Sequence, residues 1–275
     1  MTNKTIAERI ADMNQRPDQY TEFVADNAPE IQLDLADSDV TVVDQDGCLL
    51  VLDQYAVGKQ WFVEVWGPYF KRPVFPRMAL AENLKKSVSH FPAQINFFYR
   101  LANTALTDWL ENHQATFTRQ TIWQVCPVAM RPSGLRFEAY ESPLPKKKAE
   151  EVLSLHHQMF HDDAVANISS EHPLFLAYQE TQLCGYALVE IEETLARLLF
   201  VAVAPAFRQQ SIATNLIAFL WQYLYISDSG KPMTLVQSEK AEAAGFLYEH
   251  LGFKKLRVLQ SAVMTMASAN SIVST

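Results

Sequence analysis

The chain has 275 residues, 49% of them hydrophobic, which suits one large or two medium domains with ample buried cores. A formal net charge of -8 and a pI near 5.4 argue against nucleic acid or an anionic membrane as the main partner. Cys48, Cys126 and Cys184 are scattered and lack metal-ligand spacing, so each reads as a small buried hydrophobe in a reducing compartment. With no apolar signal core at the N-terminus and no membrane-spanning run, the expectation is a cytoplasmic protein.

In chain order, Asp39–Val43 and Cys48–Leu52 predict a hairpin about Asp46-Gly47, a strong turn signal. Trp61–Trp66 predicts a third strand, followed by Gly67-Pro68. A helix over 76–91, a strand over 94–99 and a helix over 104–113 come next.

Beyond residue 130, Leu135–Tyr140 reads as a strand, closed by Pro143 and Pro145, and 146–161 as a helix. The basic run at its start, Lys146 to Lys148, solvates that helix face. Leu174–Tyr178 and Leu183–Ile191 form a hairpin about Glu180-Thr181-Gln182, and Leu195–Ala204 is the next strand. A helix over 208–225, a strand over 233–237, a helix over 240–251 and strands over 253–266 complete the order β–α–β–β–β–α–β–α–β.

The most informative stretch is Val203-Ala-Pro205-Ala-Phe-Arg208-Gln-Gln-Ser211-Ile-Ala213, where a buried strand turns directly into an amphipathic helix. Helix N-termini present unpaired N–H groups and partial positive charge, so such a turn is a ready phosphate site. Downstream, Phe246-Leu-Tyr248-Glu-His-Leu-Gly252-Phe253 ends a helix at a glycine before a further strand. At these two segments the sequence resembles the GNAT acetyltransferase superfamily, whose motif V-x-P-x-x-R/Q-x-x-G-x-A/G precedes L-Y-x-x-x-G-F. Two positions depart from the pattern. Ser211 stands where the family usually has glycine, and Ala241 where an asparagine often opens the later helix.

The resemblance implies an α/β (α+β) fold of mixed, mostly antiparallel sheets flanked by helices, and acetyl-CoA as acyl donor with no metal. It implies that the strand before the turn splays from its neighbour. Main-chain groups from Phe200 through Val201, Ala202 and Val203 would then pair with pantetheine, and the Val203 amide would face the thioester oxygen. It further implies that the amides of Gln209, Gln210, Ser211, Ile212, Ala213 and Thr214 hold the pyrophosphate, with Arg208 near the adenosine phosphates. Tyr248, with an unperturbed pKa near 10, would protonate the departing thiolate. The base is open among Glu190, Glu192, Glu193 and Glu239. His156 and His161 are candidates to line the acceptor pocket. His157 and His161, four apart beside Asp162, are two ligands without a third and fourth, and read as a polar helix face.

The two halves also resemble each other. With Pro68 laid on Pro205, Lys71 falls on Arg208, Phe98 on Leu235 and Trp109-Leu110 on Phe246-Leu247. The expectation is therefore two GNAT-like domains, at 1–130 and 131–275, with the catalytic chemistry in the second. Proline has no amide hydrogen, so Pro73 and Pro76 remove donors from the first copy's turn, and Glu111 replaces Tyr248. That copy is read as a degenerate scaffold. The expected activity is N-acetyl transfer to a small-molecule or protein amine. A non-catalytic acyl-CoA sensor and transfer of another acyl group remain open alternatives.

Overall fold

The computed structural model describes residues 2–25, 27–71, 73–127, 134–160, 165, 167–228 and 231–269, with no side-chain description for 226–228. Among them, no helix is long and apolar enough to cross a membrane. The chain forms two compact units: Met1–Gln120 with Val258–Thr275, and Thr121–Arg257.

The first unit opens with α1 (Asn3–Asn14) and α2 (Ala28–Asp34), whose first turns are capped by the side chains of Thr2 and Asn27. Ile6, Ile10 and Met13 recur at helical spacing and bury one face of α1. Strands β1 (Val40–Gln45) and β2 (Cys48–Val57) pair antiparallel across Asp46 and Gly47. Both turn residues have positive φ, 53° and 76°, as a two-residue hairpin with right-handed twist requires. Next come β3 (Gln60–Phe70), α3 (Arg77–Ser87), β4 (Ala93–Arg100), α4 (Thr104–Asn112) and β5 (Thr116–Val125), whose residues from Thr121 on belong to the second unit. β3 runs antiparallel to β2 but parallel to β4.

The last strand of the chain, β11 (Lys254–Met266), pairs antiparallel with β4 from Leu259↔Arg100 to Met266↔Ala93. Its Ala262, Met264 and Met266 join the core between this sheet and α3 and α4. That packing is why residues from 258 belong to the first unit rather than to the half in which sequence position puts them.

The second unit contains β6 (Arg136–Tyr140), α5 (Lys146–His157), β7 (Leu174–Gln179), β8 (Gln182–Ile191), β9 (Ala196–Val203), α6 (Ile212–Asp228), β10 (Met233–Ser238) and α7 (Glu242–His250). The pairs β6·β7, β7·β8 and β8·β9 are antiparallel, and β9·β10 is parallel. One sheet face packs on α6 and α7, through Leu198, Ile217, Leu220, Trp221, Leu235 and Tyr248. The other packs on α5, through Val152, Leu155, Tyr186, Leu188 and Ala202. Burying each such aliphatic or aromatic side chain contributes about 1.5–3 kcal/mol before entropy is counted.

In sequence order the chain runs β-β-β-α-β-α-β twice, from β1 to β5 and from β7 to β11, with the parallel step after the third of these strands in both. The element order recurs along the sequence, whereas the compact units divide at Gln120/Thr121 and Arg257/Val258, inside β5 and β11, rather than at residue 130. Several predicted boundaries differ. The helix expected from Arg208 begins at Ile212, and α5 stops at His157. Residues 254–266 are one strand rather than several.

Candidate functional site: a strand fork and a turn of unclaimed amides

β9 and β10 pair only as Ala196↔Met233, Arg197↔Thr234 and Leu198↔Leu235. Beyond Leu198, β9 continues to Val203 against β8 alone, with a register shift at Leu188/Val189 that leaves Leu199 as the extra residue. A bulge adds twist and re-aims a strand, so β9 and β10 separate into a fork.

Ala204 N–H donates to the Cys184 carbonyl at 2.8 Å, which turns Ala204, and by alternation Ala202, toward β8. Val201 and Val203 therefore direct their N–H and C=O groups into the fork. Consistent with this, the Val203 carbonyl accepts from Arg208 Nε at 3.3 Å. Of the strand residues expected to meet a ligand, Val201 and Val203 have that orientation. Ala202 has its backbone on β8 and its side chain in the α5-side core.

Past Val203 the chain makes one tight 3-10 turn at Pro205–Phe207, and Arg208 is extended. Gln209 and Ser211 then adopt φ of 60° and 59° before α6 starts. Left-handed backbone at a non-glycine residue costs about 1–2 kcal/mol. Alternation of the two hands over consecutive residues turns successive N–H groups toward one side, the geometry of anion-binding nests. The first helical bond is Asn215 N–H to Ser211 O, at 3.0 Å. Among the described residues, no acceptor is taken by the amides of Gln209, Gln210, Ser211, Ile212, Ala213 or Thr214. Ser211, where glycine was expected, holds the left-handed conformation that glycine would hold without strain. Arg208 is exposed and makes no ion pair among the described residues.

Tyr248 lies on α7 and is 6% exposed. Its ring meets Trp123 at 6.2 Å and Phe253 at 5.5 Å, and its hydroxyl has no hydrogen-bond partner among the described residues. Burial pushes its pKa up to about 12. The hydroxyl therefore stays protonated throughout the neutral range and is available there as a proton donor.

The candidate bases stand elsewhere. Glu190 lies at the end of β8 that pairs with the start of β9, and Glu192 just past it, both away from the turn. Glu192 accepts from Arg197 Nε at 2.5 Å, and Glu190 lies 3.5 Å from His172 Nε2 and 3.9 Å from Arg197 Nε. Glu239 follows β10 and is exposed. His156 is fully buried against Phe160, Phe200 and Tyr186, so it lines no open pocket. His161 and Asp162 lie outside the described residues. Cys126 is exposed rather than buried, unlike Cys48 and Cys184.

Sequence reasoning missed Gln237, at the end of β10. Its side chain accepts from the Trp123 indole and donates to the Ala241 carbonyl at the start of α7. A glutamine facing a helix start without a capping side chain was the only signal.

The parallel strand pair that opens into a fork, and the amide-rich turn at its mouth, lie within one stretch of the chain that matches a known domain family. Residues 170–255 match the acetyltransferase (GNAT) domain family and carry that domain. The chain as a whole shares its fold with solved GNAT proteins. A GCN5-related N-acetyltransferase from Sphaerobacter thermophilus is 16% identical, with 95% of this chain and 93% of that one covered at a TM-score of 0.65. One from Kribbella flavida is also 16% identical, covering 94% and 95% at 0.62. A tandem GNAT protein from the clavulanic acid biosynthesis pathway is 12% identical, covering 96% and 94% at 0.67. These likenesses speak for the fold. No curated protein sequence matches the chain significantly.

Proposed function

We propose that the second unit is an acetyl-CoA-dependent N-acetyltransferase acting on an amine by direct attack on the thioester. The observation that carries this reading is the fork beyond Leu198/Leu235 together with the unclaimed amides from Gln209 to Thr214. Pantetheine would lie in the fork against Val201 and Val203, and the pyrophosphate on the turn, with Arg208 beside the adenosine phosphates.

The amine nitrogen attacks the thioester carbon, and its carbonyl electrons move onto oxygen, where the Val203 amide would donate. A backbone donor aimed at a developing oxyanion is worth about 2.7–4 kcal/mol. Collapse re-forms the carbonyl and breaks the C–S bond; Tyr248 gives its proton to the thiolate, and the surplus proton on the attacking nitrogen passes through solvent to restore the phenol. With Glu190 and Glu192 engaged by Arg197 and His172, the amine loses its proton to solvent and meets the thioester neutral. The first unit is then a degenerate copy serving as scaffold, and the chain a cytoplasmic protein with a small-molecule or protein amine as acceptor.

Titration calorimetry with CoA and acetyl-CoA tests the first half of this reading, and thiol release with an amine panel, read by product mass, tests the second. Failure to bind CoA at millimolar concentration overturns it. Binding without an acetylated product leaves a non-catalytic acyl-CoA sensor, the reading that the engaged carboxylates would favour.

A further inference from the structure

The first unit has a fork of its own. β3 and β4 pair from Trp61↔Ala93 to Val65↔Phe97, and β3 then runs on to Phe70 against β2. This fork is filled. The segment after α1 enters it and satisfies both walls. On the β3 wall, Gly67 N–H donates to Thr21 Oγ1 at 2.9 Å. On the same wall the Gln19 carboxamide acts as a short strand, accepting from Phe70 N–H at 3.0 Å and donating to Phe70 O at 2.9 Å. On the β4 wall, Glu22 N–H donates to Phe98 O at 3.0 Å, and Thr21 bridges antiparallel to Tyr99.

The strap is itself anchored. Asn14 donates to Thr21 O at 3.1 Å and accepts from Thr21 N–H at 2.7 Å. Gln19, Tyr20, Thr21 and Glu22 are all at most 8% exposed. Breaking any of these bonds would leave a buried polar group without a partner, which costs more than the bond itself is worth.

We infer that Gln19–Glu22 is a built-in occupant of the first unit's fork, holding the main-chain groups a pantetheine would need, so that the chain has one CoA site and not two. On this inference the strap closes that unit to CoA more fully than its prolines do. Pro73 and Pro76 remove two donors near the α3 turn, whereas the strap takes both walls of the fork. The count of one rests on the reading given under Proposed function; the occupancy of the fork does not.

Hydrogen exchange read by mass spectrometry on peptides covering 66–71, with and without CoA, tests the inference beside calorimetric stoichiometry. In the CoA-free protein the 66–71 amides exchange slowly, and CoA leaves them unchanged while protecting 199–214. Gln19→Ala speeds exchange over 66–71 by roughly tenfold, and Thr21→Ala does so more weakly if the first variant fails to fold. One CoA per chain agrees with the inference. Two per chain, CoA-dependent protection of 66–71, or wild-type exchange there as fast as in Gln19→Ala, overturns it. If CoA does not bind at all, the functional proposal falls, and the Gln19→Ala comparison still decides the strap.

Discussion

The Trp123 indole N–H donates to Gln237 Oε1 at 2.7 Å, and Gln237 Nε2 donates to the Ala241 carbonyl at 2.9 Å. One carboxamide thus ties β5, β10 and the start of α7 together. A Cβ on Gly245 would stand 3.0 Å from the same Gln237 nitrogen, so the glutamine lies flat over that glycine. Gln237→Ala strands the indole and the carbonyl together. We expect a loss of about 1–3 kcal/mol in urea-monitored stability, with acetyl transfer falling more than CoA affinity, because α7 carries Tyr248. An unchanged midpoint would show that the bridge is incidental.

Tyr248→Phe keeps the contacts with Trp123 and Phe253 and removes the donor. The expected result is a kcat lower by about 10²-fold or more, a nearly unchanged KM for acetyl-CoA and an unchanged melting temperature. Because burial holds the phenol near pKa 12, the wild-type rate should show no loss of acid catalysis up to pH 10. A falling limb near pH 8 that disappears in the Phe variant would contradict this.

At Ser211 the backbone has φ of 59°. Glycine adopts that conformation freely, while a β-branched residue there is a strong outlier. Ser211→Gly should bind CoA at least as tightly as wild type in calorimetry, and Ser211→Val about tenfold or more weakly, in line with strain of about 1–2 kcal/mol. Weaker binding by the glycine variant would mean that the serine hydroxyl, not the turn's conformation, holds the ligand.

Glu64 in the first unit faces Asp53 across β2 and β3. Burial raises its pKa, the hydrogen bond from Tyr55 opposes that, and Asp53 raises it further. A carboxyl raised in the folded state binds more protons there than in the unfolded chain, so stability falls as pH rises from the unfolded value, 4.5, through the folded one. Above that window the penalty is constant. Glu64→Gln should therefore be more stable than wild type at pH 7, with the gain shrinking to nothing as pH falls toward 4.5. Thermal melts across that range check the sign.

Burial pushes the Cys48 thiol up to about 12 and also raises that of Cys184, whereas Cys126 is exposed. Brief treatment of the native protein with a thiol reagent at pH 8 should label Cys126 alone. Rapid labelling of Cys48 would indicate that the β2 core opens readily.

Most of the fold was legible because hydrophobic period and turn chemistry are local. The Asp46-Gly47 hairpin, the Leu195–Ala204 strand and the α6 pattern each follow from residues within one or two turns of each other. α1 and β5 carried readable signals too, in the Ile6–Ile10–Met13 spacing and the Trp123-Gln124-Val125 alternation, but polar neighbours diluted both. The turn at 208–211 read as helix because its residues are tolerable helix formers. Its two left-handed residues are imposed by the strand–helix connection, and propensity does not encode them.

The order of residues determined the two strand–turn–helix segments, the position of Tyr248 and the recurrence of one element order. Long-range pairing alone decided the rest. It assigned β11 to β4, closed the first fork with Gln19–Glu22 and left the second open beyond Leu198. Those outcomes depend on which backbone donors find acceptors far along the chain, and a buried N–H must be satisfied by whatever segment the fold brings to it.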